Sequence, residues 1–200
     1  FMRTTFGQTN VSPTLKTQVS KSGRKYAFFA RRLEKLGIKK LEDFLFHIPH
    51  RYDDLSLISP IGKVQDGEIT TIQGHVDEIK NDYTRRRFRI QRALISDKTG
   101  TLECIWFNQP YITKVIKKGD FVSIAGKVER SGRKLNLFVK EYEVLASSSQ
   151  TTIHTGRLTP VYPETRGLTS RYLRNRVKEL IDEYYHKITE YLPDFILQKY

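Results

Sequence analysis

An α+β fold follows from changes of hydrophobic period along the chain. Apolar residues recur at helical spacing before residue 50, alternate at strand spacing from 69 to 139, and return to helical spacing after 169. One helical interruption splits the alternating region into three strands and two. The expected architecture is a small five-stranded barrel with an N-terminal helical pair and a long C-terminal helix.

Residues 1–23 are polar, rich in Ser, Thr and Lys, and read as a flexible tail. Between 24 and 37, Phe29, Leu33 and Leu36 follow helical spacing, and Gly37 stands where a helix ends. A second short helix over 41–46 stops before Pro49. These segments make residues 24–58 an N-terminal helical element.

Strand spacing begins at Ile69 and runs to Ile79, with Ile72, Gly74 and Val76 on one face. Phe88, Ile90 and Leu94 continue it, and Asp97-Lys98-Thr99-Gly100 is a turn. Leu102, Cys104 and Trp106 form a third inward row. Asn108 is placed to cap a short helix with Pro110 in its first turn and Gly119 at its end. Val122, Ile124 and Val128 then mark a fourth strand, and Leu135, Leu137 and Val139 a fifth. A helix between the third and fourth of five strands is the order of an OB-fold, here over residues 59–146. Gly74 and Gly126 sit in mid-strand, where a barrel bends sharply. An SH3-like barrel is the alternative, but it has no natural place for the helix. Residues 147–168 read as an extended linker. Thr169 or Ser170 caps a final helix over 169–200, with Leu173, Val177, Leu180, Ile181, Tyr184 and Ile188 on one face and an end near Pro193.

Lys and Arg number 35 against 22 acids, a formal net charge of +13. That excess favours a polyanionic partner, nucleic acid or an anionic surface. No apolar run is long enough to cross a membrane as a helix. The single Cys104 excludes an internal disulfide and fits a reducing, cytoplasmic setting; its apolar strand context makes it filler rather than a nucleophile. His47 and His50 lack the further ligands that zinc requires. No catalytic residues and no metal site are assigned.

A family resemblance rests on residues in order. Leu33-Glu34-Lys35-Leu36-Gly37-Ile38 is followed by Leu41-Glu42-Asp43-Phe44-Leu45-Phe46-His47-Ile48-Pro49-His50-Arg51-Tyr52-Asp53-Asp54. Then come Ser59-Pro60-Ile61 with Gly67, Asp97 with Thr99-Gly100, Phe107-Asn108, Gly119, and Pro160-Val161-Tyr162-Pro163 with Gly167-Leu168. Together they resemble the N-terminal region of RecG-type helicases over about residues 24–195. The fifth strand reads Leu137-Phe138-Val139-Lys140-Glu141, without the His-Pro-Glu usual after it in the family. No Gly-x-x-x-x-Gly-Lys-Ser/Thr phosphate loop occurs.

The resemblance implies a DNA-binding wedge that holds replication forks and Holliday junctions in repair and recombination. An ATP- and Mg-dependent motor, absent from this chain and joined in cis in the parent, would pull the duplex. The chain itself is then expected to be a monomer without enzymatic activity or cofactor, lying in the cytoplasm with the nucleoid. Two wedge aromatics of the family stack on bases where strands part; they match Phe107 and Tyr111. On residue pattern alone, Phe107 falls on the face opposite Leu102, Cys104 and Trp106, and Ile112, Val115 and Ile116 supply the short helix's buried stripe and leave Tyr111 exposed; burial in the core is the plain alternative for both.

Candidate phosphate contacts are Arg85, Arg86, Arg87 and Arg89, with Lys117 and Lys118, and with Arg130, Arg133 and Lys134, in or near loops. The plain alternative is that these charges simply face water. Two rival functions stay open: a stand-alone OB module for single strands or RNA, and a protein-docking domain. The long final helix argues against the first, and the aromatic pair and arginine strand against the second.

Overall fold

The computed structural model describes residues 14–83, 88–146 and 150–187. Its elements are α1 (Arg24–Ala27), α2 (Ala30–Glu34), α3 (Leu41–Phe46), β1 (Arg51–Asp54), β2 (Ile69–Tyr83), β3 (Arg89–Ser96), β4 (Thr101–Phe107), α4 (Ile112–Val115), β5 (Phe121–Ser131), β6 (Lys134–Leu145), β7 (Leu158–Val161) and α5 (Ser170–Tyr184). The chain divides into a barrel unit, Tyr52–Pro160, and a helical unit built from residues before Tyr52 and after Pro160.

In the barrel unit the strands close in the order β2-β3-β4-β6-β5, with β4 and β6 parallel and the other neighbours antiparallel. This is the OB-fold order, with α4 between its third and fourth strands. The core holds Ile72, Val76, Ala93, Ile95, Leu102, Cys104, Trp106, Val122, Ile124 and Leu137, closed from below by Ile112 and Ile116 of the α4 segment. Gly74 and Gly126 are required by close approach. A Cβ at Gly74 would lie 2.4 Å from the Ser96 carbonyl oxygen, and one at Gly126 only 2.1 Å from that of Phe138. The Asp97 turn forms as expected: its carboxylate accepts from Thr99 and Gly100 and, across the fold, from the Ile61 amide at 2.9 Å.

Several expectations change. In β3 the inward row is Gln91, Ala93 and Ile95, and Phe88, Ile90 and Leu94 fall on the other face, where Phe88 is 65% exposed and Leu94 36% exposed while Ile90 is buried. The outer positions are apolar too, so alternation alone did not give the phase. Asn108 is not a helix cap: it takes a left-handed turn (φ 53°) and α4 begins only at Ile112. Val115, assigned to the buried stripe, is exposed because four residues bury only Ile112 and then Ile116. The segment read as an extended linker is tied to the barrel. The Glu143 carboxylate accepts from the amides of Ile153, His154 and Thr155 and from the Thr155 hydroxyl. Thr155 and Thr159 are buried.

In the helical unit, Val19, Tyr26, Leu33, Ile38, Leu41, Phe44, Tyr162, Leu168, Leu173 and Leu180 form a second core. Residues 14–23, read as tail, belong to it in part. Val19 is buried, its amide donates to Lys39 O, and the Leu41 amide donates to Thr17 O. Polar composition hid these backbone bonds; residues 1–13 lie outside the described residues. The helix expected over 24–37 is broken at Phe28-Phe29 into α1 and α2. It does end at Gly37 (φ 82°), whose amide donates to Glu34 O while that of Ile38 donates to Leu33 O. Thr169 caps α5, its hydroxyl accepting from the Tyr172 amide. Ile181, placed on the buried face, is exposed; Ile188 and Pro193 lie outside the described residues.

Candidate nucleic-acid interface

The end of β4 separates two adjacent aromatics. Strand alternation turns Trp106 into the core, 1% exposed, and Phe107 outward, 57% exposed. The Phe107 ring stacks on that of Phe138 at 5.6 Å between centroids and 4° between planes. The parallel pairing of β4 with β6 makes this contact, since Ile105 is the partner of Phe138. Phe138 was not singled out from the sequence. The inward reading of Leu137 and Val139 was the available signal that it faces outward.

After Phe107 the chain turns sharply and is held by amides. The Asn108 N–H donates to Arg89 O at 2.8 Å. The Gln109 N–H donates to Oε1 of Gln91 at 2.8 Å. Gln91 is fully buried, and its Nε2 donates to Oδ1 of Asn81. Asn81 in turn donates to the Thr113 hydroxyl of α4 at 3.1 Å. This chain of amides links β2, β3, the turn and α4. A buried amide with satisfied partners fixes geometry, because breaking any member leaves a desolvated polar group. Tyr111, 52% exposed, donates its hydroxyl to Oε1 of Gln109 at 2.8 Å. Phe107 and Tyr111 therefore stand on a rim braced from below. Gln91 too was missed; a glutamine inside the apolar run 90–95 was its signal.

The predicted cations separate into groups. Arg89 is exposed on the strand that receives the Asn108 amide, opposite exposed Tyr83 in the β2–β3 pairing. Arg85, Arg86 and Arg87 lie outside the described residues. Arg92, on the same strand as Arg89, is occupied by Asp82 at 3.3 Å and Glu103 at 3.0 Å. Lys117 turns its ammonium onto Thr113 O at 2.8 Å, and Lys118 is exposed beside it. Arg130 lies 3.5 Å from Asp66, which also accepts its backbone amide.

Arg130, Arg133 and Lys134 do come together. They line a concave space of about 520 Å³ with Leu94, Thr101, Glu103 and Asn136. Lys117 and Lys118 do not line it. That space lies at the start of β4, about 20 Å along the strand from Phe107 at ~3.3 Å per residue. Aromatics at one end and cations at the other thus share the outer face of β4 and β6.

Burial pushes the Cys104 thiol far above its ordinary range. Among the described residues there is no cluster of His, Cys, Asp or Glu suited to a metal ion. No helix among them is long and apolar enough to cross a membrane.

A family model for the RecG wedge domain matches residues 21–183. The "ATP-dependent DNA helicase RecG" of Staphylococcus epidermidis is 28% identical over 173 residues, 84% of this chain and 24% of that protein. The protein of the same description from Thermotoga maritima is 29% identical over 175 residues, 84% of this chain and 21% of that protein. A solved structure of RecG bound to a three-way DNA junction superposes with a TM-score of 0.75 at 25% identity, covering 95% of this chain and 26% of that one. The chain spans about a quarter of the length of the curated relatives it matches.

Proposed function

The chain belongs to the RecG wedge domain family, and we propose that it is the part of a RecG-type helicase that grips branched DNA and keeps the strands apart at the branch point. Its substrates are replication forks and Holliday junctions, in repair and recombination. ATP and Mg belong to a motor elsewhere in a longer, monomeric, cytoplasmic protein. This chain supplies no catalytic residue.

The observation that carries this reading is the braced pair Phe107 and Tyr111, exposed on a rim beside a buried Trp106. Bases that lose their partners at a branch need another surface to stack on. An aromatic face supplies one without reading sequence, for roughly 1–3 kcal/mol per base. Phe138, stacked behind Phe107, keeps that ring from collapsing onto the strand. The turn held by Gln91 fixes the rim before DNA arrives, so less entropy is lost on binding. Arg89, with Arg85, Arg86 and Arg87 shortly before it in the sequence, meets phosphates. Arg133 and Lys134 receive a parted strand at the far end of β4, with Arg130 beside them. Lys117 and Lys118 add phosphate contacts near α4. Such contacts position the DNA and carry no sequence preference.

The test compares fork with blunt duplex for Phe107→Ala and Tyr111→Ala. Each variant is expected to bind a fork about tenfold more weakly, the loss of ~1.4 kcal/mol from one stack, with duplex binding nearly unchanged. Unchanged fork affinity in both variants, with folding confirmed by Trp106 emission, would overturn the assignment.

A further inference from the structure

Outside the barrel, an exposed aromatic surface lies between α1 and α2. Phe28 is 76% exposed at the break between the two helices. Its ring meets that of Phe29 edge-on at 4.9 Å and 87°. The Arg32 guanidinium lies over both rings, 5.9 Å from Phe28 and 5.6 Å from Phe29. Ala27, Phe28, Arg31 and Arg32 line a concave space of about 390 Å³.

The charge around this ring is one-sided. Arg24, Lys25, Arg31, Arg32 and Lys35 face a single acid, Glu34, between residues 24 and 35. Lys25 is taken by Glu179 at 2.7 Å. Arg24, Arg31, Arg32 and Lys35 have no carboxylate in ion-pair reach among the described residues. Arg24, Arg31 and Lys35 are exposed.

Arg32 is also held from the other side. Gly167 comes so close that a Cβ there would lie 3.2 Å from Arg32 Nε. Its guanidinium is thus set between aromatic rings and a backbone that tolerates only glycine (φ 76°). Phe29 in turn packs on Tyr172 at 4.4 Å. Phe28 therefore stands on a fixed support and presents its outer face to solvent.

An exposed phenylalanine framed by unpaired cations is a poor surface for an apolar partner, which would leave the guanidiniums desolvated. It suits a ligand with a flat apolar face and negative charge on the same repeat, and a single-stranded nucleic acid has both. A duplex keeps its base faces stacked and would use only the cations.

We propose that Phe28, Arg31 and Arg32 form a second nucleic-acid contact, in the helical unit, that takes an unpaired nucleotide. The base stacks on Phe28, Arg32 supports the ring from behind, and Arg31 with Arg24 meets the phosphates. This rests on the DNA-binding reading of the chain but uses none of the residues of the barrel rim.

The experiment uses the whole chain and an oligothymidylate carrying 5-bromodeoxyuridine, irradiated and mapped by mass spectrometry, with affinities measured in parallel. A cross-link at Phe28 is expected, and Phe28→Ala is expected to weaken single-strand binding about tenfold while leaving blunt duplex binding unchanged. Arg31→Ala should weaken binding of the single strand as well. Both positions are exposed, and folding of each variant is checked by far-ultraviolet dichroism, which follows the helical unit. If the strand cross-links to Phe107 or Tyr111 but not to Phe28, and Phe28→Ala binds normally, this proposal fails while the wedge reading stands. If Arg31→Ala weakens single strand and duplex alike while Phe28→Ala is silent, the patch is a diffuse phosphate attractor and the stacking site is refuted. Cross-links in the helical unit with none on the rim would support this contact and count against the wedge assignment.

Discussion

The barrel unit and the helical unit keep their shapes by different means. The barrel is closed by backbone pairing between strands distant in sequence, and at Gly74 and Gly126 neighbouring backbones meet where no side chain fits. The helical unit rests on helices of four to six residues, α1 to α3, plus α5. Helices that short do not persist alone in water. They persist because Leu33, Phe44, Tyr162 and Leu173, brought from both ends of the chain, share one core. The rim proposed to meet DNA sits in the barrel, where Gln91 and Asn81 hold the turn after β4 through hydrogen bonds. The surface of the helical unit is set by side-chain packing instead.

That contrast is open to test because Trp106 is the only tryptophan and lies in the barrel core, so its emission follows that unit. The largest effect is expected from Gly126→Ala. A methyl there meets Phe138 O at 2.1 Å, so the β5–β6 pairing must shift, at a cost of about 3 kcal/mol, the upper end of what overpacking usually exacts. The Trp106 transition in urea should move to much lower concentration or disappear. A variant with the parent's midpoint would show that backbone approach does not hold the barrel.

Next comes Leu33→Ala. Leu33 is fully buried in the helical unit, and its truncation should cost about 3 kcal/mol. The helical signal in far-ultraviolet dichroism should melt earlier while the Trp106 transition stays in place. Equal shifts of both signals would mean that the units unfold as one, and the comparison would collapse.

The smallest effect concerns acid. His47 stacks on Tyr162 at 5.8 Å, its Nε2 has no hydrogen-bond partner among the described residues, and burial holds its pKa below the ordinary value. The folded state therefore disfavours the protonated ring. Stability from this group is present above the unfolded pKa of ~6.5 and falls as pH drops below it. In the barrel, partial burial of Asp97 raises its pKa. The Thr99, Ile61 and Gly100 donors outweigh that and hold it below the ordinary carboxylate range. Its contribution is kept until pH falls below ~3.9. Titrating from pH 7 to 5 should thus weaken the helical unit before the barrel, and His47→Phe should remove that early loss. A Trp106 transition that weakens first would reverse the assignment.

Much of this was legible in the sequence because it is local. Period-two alternation marked the strands around Ile72, Leu102 to Trp106, and Leu137. Gly37 announced a helix end because only a residue at ease with positive φ closes that turn. Asp97 with Thr99-Gly100 announced its turn because a short carboxylate reaches its own backbone two and three residues on. The outward position of Phe107 followed from the inward row ending at Trp106. The order of elements carried the family resemblance.

Other features depended on partners far along the chain. The outward phase of Ile90 and Leu94 was decided by which face met the core, since both faces of β3 carry apolar residues. The break at Phe28-Phe29 was decided by packing on Tyr172, and the order in residues 14–23 by backbone bonds to residues near 40. Only the parallel pairing of β4 with β6 laid Phe138 behind Phe107. Only the close approach of β2, β3 and α4 let Gln91 brace the rim. Local chemistry selects turns and periods; which of two apolar faces is buried, and which side chains meet, is settled only when the chain closes on itself.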